Sequence, residues 1–479
     1  MTPFQPDFAV VRAAMASFDP SPRVSPNAAI SVDQAFLPEG HRGVLDLRRQ
    51  LVVGNRGMGK SFWTHALLNP EVRTRLADSY GLPLLAKTHV VVGFNGSEKI
   101  NPTAPTINEM SAFMNQGVDP ERLWQAVLVR IARVYLQPQA PGSLSETIDA
   151  VGADPTLYPT ELSRADDALA RNGETLLVVF DALEHTAPDW EGILSLTRAL
   201  LALAVRLQSF RSIRAKIFMR VDQFSNQSLF RFPDSSKIRN DRVTLMWRPS
   251  ELYGLLLFEL RRTEASRLQL DGIARAELLP PARPEGWTTE HCQTRLINVL
   301  AGEFMGKSKK RGRVYTWVPL HLSDAAGTCS PRSFLAAWKT AAEHNPAPKD
   351  QAVDHLGLME GVRFASESRL AELKEDYPWI EPALDALRRQ LVPMERAQLF
   401  NFWSDQNTIV QIEAQASSGP RYTPVQFAGE DKLVALLSAM RDVGVMEERA
   451  NGKINVPDIF RVEAKILRKG GVAVPKRAG

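Results

Sequence analysis

Cysteine is nearly missing from this chain: only Cys292 and Cys329 occur in 479 residues. They form no CxxC or Cys/His spacing, which argues against a structural zinc site and fits a reducing compartment. Long apolar runs are also missing. The longest candidate, residues 199–205 (ALLALAV), is too short to span a bilayer and reads as part of a buried helix. The opening MTPFQPDFAV has neither a basic leader nor an apolar core, so no signal peptide is expected. No internal repeat is visible, which sets aside solenoids and propellers. Neither charge sign dominates: the net charge is +4, with a pI of about 9.0. These absences leave a cytoplasmic protein with no expected membrane contact. A chain with 44% hydrophobic and 23% charged residues can bury two or three ordinary cores without disulfides.

The residues that are present follow a readable order. Apolar, β-branched runs at 49–54, 88–94, 175–181, 215–221 and 242–247 alternate with helix-compatible stretches at 60–68, 120–135 and 190–207. That alternation predicts an α/β fold with a parallel sheet buried on both faces. Residues 136–160 break the pattern and read as an irregular surface insertion. Residues 249–265 read as an amphipathic helix, 278–287 as a linker, and 345–351 as a further break.

The chemistry begins at GNRGMGKS, which fits G-x-x-x-x-G-K-[ST] between an apolar strand and a helix-compatible SFWTHALL. Glycines let the backbone wrap its N–H groups around phosphate oxygens, and the next helix aims its positive end at them. Gly54, Gly57, Gly59, Lys60 and Ser61 are therefore the expected nucleotide contacts. Lys60 reaches the β/γ-phosphates and Ser61 holds magnesium. Phe62 and Trp63 read as core residues of the helix. A second match, AGEFMGKS at 301–308, follows a helical pattern and runs into KKRGRVY, so it is rejected as a nucleotide site.

A phosphate loop needs a carboxylate at the end of a neighbouring strand, and TLLVVFDALEH supplies Asp181. Asp181 is the expected metal-organising acid, with Ser61. Glu184 is placed to orient or deprotonate the attacking water. The plainer alternatives are a helix cap for Asp181 and a solvated Glu184.

This order of motifs resembles the AAA+ and STAND groups of P-loop ATPases. DALEH is closer to the STAND pattern, with Ala182 after the first acid and His185 in place of the last. The resemblance, over residues 47–344, implies a slow, switch-like ATPase using ATP and Mg²⁺. The strand ending in Arg-x-Asp and its basic connector are similar to KAP-like and origin-recognition-like bacterial ATPases. That similarity implies a γ-phosphate sensor at Arg220 or Asp222. It also implies an arginine finger among Arg231, Arg239 and Arg242, with Arg239 preferred. Arg332, just inside a helix opened by Ser330-Pro331, resembles a lid-borne sensor arginine. For each arginine a surface salt bridge is the competing reading.

The C-terminal stretch has an amphipathic helix, Gly444, and two strand-like pieces around Asn451-Gly452, a good hairpin turn. It looks like a winged helix. The expected organisation is an N-terminal arm (1–46), a P-loop core (47–265), a helical lid (266–350) and a helical plus winged-helix-like region (351–479). Two basic clusters stand out. One is Lys307, Lys309, Lys310, Arg311 and Arg313. The other is the tail, with Arg461, Lys465, Arg468, Lys469, Lys476 and Arg477 against Glu463. They permit nucleic-acid contact without sequence specificity, or contact with an acidic partner. No nuclease, protease or repeat-type sensor is recognised. The resemblance then implies an oligomerising switch whose effector chemistry lies on a partner protein, in a bacterial system such as phage defence. The alternatives are a DNA-binding loader or remodelling ATPase, and a structural subunit that holds nucleotide without turnover.

Overall fold

The computed structural model describes residues 4–21, 35–138, 142–283, 286–418, 422–429 and 431–468. They form two compact units. Gly40–Leu245 makes up the first. The second runs from Met246 onward and includes Phe36–Glu39 and the described part of the first 21 residues.

The first unit is built on five parallel strands: β1 (Leu51–Val53), β2 (Thr88–Phe94), β3 (Thr175–Phe180), β4 (Ile213–Met219) and β5 (Val243–Thr244), in the order β2-β3-β4-β1-β5. β1 and β3 are therefore separated only by β4, and their carboxyl ends face the same edge. Strand β3 is buried along nearly its whole length, as its unbroken apolar run predicts. Trp124 fills the space between helix and sheet, its ring edge-on to Phe180 at 5.5 Å and its indole N–H on the Leu196 carbonyl at 2.9 Å.

The Trp190–Arg206 helix, with the turn to Ser209, is long and apolar enough to cross a bilayer by composition. Here it buries Ile193, Leu196, Leu200, Leu201 and Leu203 in the core of the unit. Each such side chain contributes about 1.5–3 kcal/mol of burial.

The expected irregular insertion is helical instead. Residues Leu144–Ala153 and Leu157–Asn172 are helices that put Leu144, Ile148, Leu162 and Leu169 into the core. Ser143 and Glu146 form a reciprocal capping box at the first of them. Pro159 falls in the opening turn of the second, where its missing N–H has no intrahelical acceptor to lose.

Lys216, in the middle of β4, is fully buried. Its ammonium donates to the carbonyls of Val44 (2.6 Å), Asp46 (2.8 Å) and Arg49 (2.8 Å), tying down the segment that feeds β1. Burial pushes its pKa down to about 7, against the opposing pull of Asp46. Above about pH 7 the native lysine can give up its proton, and with it one of its three donors, while the unfolded chain stays charged. Unfolding then takes up a proton, so this group's contribution to stability is lowest below pH 7. It rises as pH goes from 7 toward the unfolded value. Wild type should therefore gain stability relative to Lys216→Met between about pH 6 and about pH 9, read as melting temperature. A parallel pH response of the two proteins would show that Lys216 stays charged.

The second unit is mainly helical. The Phe8–Ala16 helix belongs to it, with the Arg12 guanidinium on the carbonyls of Pro348, Gln351 and Ala352 at 2.6–3.1 Å. The Pro331–Glu343 and His355–Asp376 helices pack closely through Ala337 and Ala341 against Gly357 and Gly361. The Lys432–Asp442 helix is followed by the antiparallel pair Glu447–Glu448 and Ile454–Asn455 around Asn451-Gly452, the helix and wing expected from the sequence.

Candidate nucleotide site

The loop between β1 and the Lys60–Leu68 helix starts at Gly54, whose N–H continues the sheet to the Met219 carbonyl at 3.1 Å. A side chain at Gly54 would press on Leu245 at 3.1 Å. Gly59 caps the helix with φ of 100°, a left-handed conformation costly for any residue with a Cβ. Gly57 shares that handedness, at 82°. Both glycines turn the backbone so that the helix N-terminus opens toward the loop.

Lys60 extends back over the loop, its ammonium on the carbonyls of Gly54 (2.8 Å) and Asn55 (3.1 Å). Burial pushes its pKa down, and the charges of Asp181 and Glu184 hold it up. Arg220 and Asp222 act on it as well, in opposite senses.

Asp181 follows β3 and is buried. Its Oδ1 accepts the Ala182 N–H at 2.9 Å, and its Oδ2 accepts the Thr64 hydroxyl at 3.2 Å. Burial pushes its carboxyl up, while Lys60 and these two donors pull it back. Ala182 is left-handed, with φ of 56°, and turns the chain sharply into the short Leu183–His185 helix that carries Glu184. The residue after Asp181 thus serves the turn, and the second acid arrives three positions on. Ser61 is exposed in the first turn of its helix, while Trp63 is buried with its indole N–H on His41 Nδ1 at 3.0 Å.

The structure brings Asp181, Glu184, Arg220 and Asp222 within electrostatic reach of Lys60 at the carboxyl end of the sheet. Arg220, directly after β4, is buried and paired with Asp222 at 3.2 Å. Arg239 lies on the Ser235–Asn240 helix, its guanidinium over the rings of Phe224 (5.8 Å) and Phe230 (5.4 Å). Arg242 lies 4.7 Å over Phe224. Arg332 belongs to the other unit, where it pairs with Glu372 at 2.7 Å. Burial raises the Glu372 carboxyl, but Arg332 and Arg369 outweigh that and hold it low. The rejected second match runs from the Glu290–Ala301 helix into a hairpin and follows no strand.

Thr64 escaped the sequence reading. Its only local signal is a hydroxyl one helical turn beyond Lys60, and its partner is 117 residues away. Thr64→Val keeps the volume and removes the bond. Where bound nucleotide is hydrolysed at this site, the expected result is nearly unchanged affinity and phosphate release slowed about tenfold, the scale of a hydrogen bond to a charged group. An unchanged release rate would reduce Thr64 to a packing residue.

Magnesium is the cofactor this fold implies. The Ser61 hydroxyl and Asp181 carboxylate are oxygen donors of the kind it prefers. Among the described residues no group of three or more His, Cys, Asp or Glu could hold a metal alone, so phosphate oxygens would have to complete the shell.

No family model matches the chain, and no curated protein matches it. Among solved structures it is similar to the Aeropyrum pernix ORC2 protein in its ADPNP-ADP complexes, at 13% identity and a TM-score of 0.36, covering 86% of this chain and 84% of that one. It is also similar to Cdc6p from Pyrobaculum aerophilum, at 14% identity and a TM-score of 0.29, covering 92% and 93%. A third is the Aeropyrum pernix ORC1 protein in complex with DNA, at 13% identity and a TM-score of 0.32, covering 93% of each chain. The loop after β1, the carboxylate after β3 and the parallel order β2-β3-β4-β1-β5 give the Gly40–Leu245 unit the P-loop NTPase fold.

Proposed function

We propose that this chain is an ATP-binding, slowly hydrolysing switch subunit. In this reading its nucleotide state controls self-assembly and engagement of a partner effector protein. One observation carries the reading: the half-buried Lys60 and the buried Asp181 meet at the end of the sheet, where the Lys60 ammonium lies on the loop carbonyls and each charge is the other's main electrostatic compensation. A triphosphate with magnesium relieves both groups, because phosphate oxygens take the Lys60 ammonium and the ion takes the Asp181 carboxylate.

Within this proposal, backbone N–H groups of Gly57, Gly59 and Lys60 cradle the phosphates, and Ser61 and Asp181 orient the ion. Bound magnesium would supply charge neutralisation at the β- and γ-oxygens. Glu184 orients the water that attacks. The left-handed Ala182 takes the place of an acid beside Asp181, which favours slow turnover. Arg220 senses the γ-phosphate from the end of β4. Arg239 is the candidate to reach a neighbouring subunit's nucleotide, its seat on two rings limiting the side-chain entropy lost on use. Arg332 is the corresponding candidate in the helical unit. A bacterial multi-protein system, with phage defence as the setting, is the finest part of the proposal and is supported by sequence resemblance alone.

The test is mass by light scattering together with phosphate release. Both are recorded with ATP and a non-hydrolysable analogue, for wild type, Lys60→Ala and Glu184→Gln. Assembly of wild type with either nucleotide, lost in Lys60→Ala, supports the switch. Phosphate release should vanish in Glu184→Gln while assembly persists. Unchanged mass and no phosphate would leave a structural nucleotide holder. Hydrolysis that rises strongly with added DNA would favour a DNA loader.

A further inference from the structure

The basic cluster Lys307–Arg313 becomes a built element in the fold. Residues 302–313 form a hairpin closed by an antiparallel bridge between Phe304 and Arg313. Its base is held by Met305 N–H on the Gly312 carbonyl (2.9 Å) and Val314 N–H on the Glu303 carbonyl (3.0 Å). Ser308 orders the tip. Its hydroxyl accepts the Lys310 N–H at 3.3 Å and its carbonyl accepts the Arg311 N–H at 3.0 Å. Arg313, at the base, pairs with Glu303 at 3.5 Å and lies over Phe304.

Lys307, Lys309, Lys310 and Arg311 are all exposed. None of the four has an ion-pair partner among the described residues. The winged-helix-like element differs. Its cations are spent internally: Arg441 on Glu448 (3.1 Å), Arg449 on Glu447 (3.5 Å) and Lys453 on Glu395 (3.1 Å), with Lys432 on Glu413. In the C-terminal tail, Arg461 and Arg468 both turn onto the buried Asp458, and Lys465 is a single exposed cation. Lys469, Lys476 and Arg477 lie outside the described residues. In the described part of this unit, the concentrated unneutralised positive charge therefore sits on the hairpin and not on the wing.

We propose that the 302–313 hairpin binds the phosphate backbone of duplex DNA, and that the wing does not. A preordered tip with adjacent lysines and an arginine matches closely spaced phosphates and loses little entropy on binding. Residues 306–312 carry no aromatic side chain, and the neighbouring Trp317 is already stacked on His321 at 4.0 Å, which disfavours stacking of unpaired bases from a single strand. The exposed cations of the tip are phosphate-binding groups, and contacts to phosphates carry no base information, so the contact is independent of sequence. The inference does not rest on the nucleotide site.

The experiment is binding of the full chain to mixed-sequence duplex DNA, duplex RNA and single-stranded DNA by fluorescence anisotropy, across a salt series and without nucleotide. The proteins are wild type, the triple variant Lys309→Gln/Lys310→Gln/Arg311→Gln, and the wing variant Arg449→Gln/Lys453→Gln. Lys60→Ala is included to separate this result from that of the nucleotide site. Each phosphate contact contributes about 0.9 to the slope of log affinity against log salt, so the triple variant should lose about 2–3 from that slope. Its affinity near physiological salt should fall at least about tenfold. The wing variant and Lys60→Ala should bind duplex DNA as wild type does. An unchanged slope in the triple variant, a loss confined to the wing variant, or tighter binding to single strands or RNA would overturn the proposal. So would failure of wild type to bind duplex DNA at low salt, which would turn the search to an acidic protein partner.

Discussion

Lys60→Ala should abolish the ATP-induced rise in melting temperature of the Gly40–Leu245 unit. At a hundredfold excess of ATP over its Kd, a single site stabilises the native state by about 2.7 kcal/mol. For a unit of this size that corresponds to roughly 5–10 °C. The variant loses this response because Lys60 supplies the ammonium of the loop, which lies on the Gly54 and Asn55 carbonyls. Its stability without nucleotide should also fall, since removing the ammonium ends two hydrogen bonds and leaves the buried Asp181 carboxylate uncompensated. Asp181 then loses its main opposing charge, so its carboxyl should rise further. A thermal shift with ATP that survives in Lys60→Ala would remove this loop from nucleotide binding.

Gly361→Ala should strongly destabilise the helical unit. A Cβ at Gly361 would lie 2.1 Å from the Ala337 carbonyl oxygen and 3.0 Å from the Ala337 Cα. Gly357, one turn earlier, stands in the same relation to the Ala341 carbonyl, at 2.7 Å. The neighbour at both points is helix backbone, which cannot rotate away as a side chain can. The Pro331–Glu343 and His355–Asp376 helices must then part, at an overpacking cost of about 3 kcal/mol. The unit may be followed by its own unfolding midpoint in urea, because a chain with two compact units need not unfold in one step. Gly429→Ala is the control. Its Cβ would meet nothing closer than the Gln426 carbonyl at 3.6 Å, and no such loss is expected. Equal midpoints for the two variants would mean that the helices can separate freely.

Local signals carried much of the fold. The strand, loop and helix around Lys60 are contiguous, so one stretch of sequence contains the nest, the ammonium and the helix dipole together. β3 announced itself as a buried run ending in an acid. The wing showed through Asn451-Gly452, a turn set by two residues. Residues 136–160 interrupt the strand–helix alternation, which in the sequence alone marks an irregular surface insertion. Their helical faces are short and became apparent only when packed on the Pro120–Leu136 helix.

The amino-acid sequence by itself determined the phosphate loop, the acid after β3 and the alternation that builds a parallel sheet. Each of these depends on neighbours a few residues away. Only the tertiary structure decided which charges remain in water. Lys216 sits in a strand like any other charged residue, yet three distant carbonyls let it be buried. Arg461 counted among the basic tail and is buried on Asp458 instead. Lys307, Lys309, Lys310 and Arg311 had the look of one more solvated run, and the hairpin fixes them together in the open. Solvation of a charge depends on everything packed around it, and that environment is assembled from residues far apart in the chain.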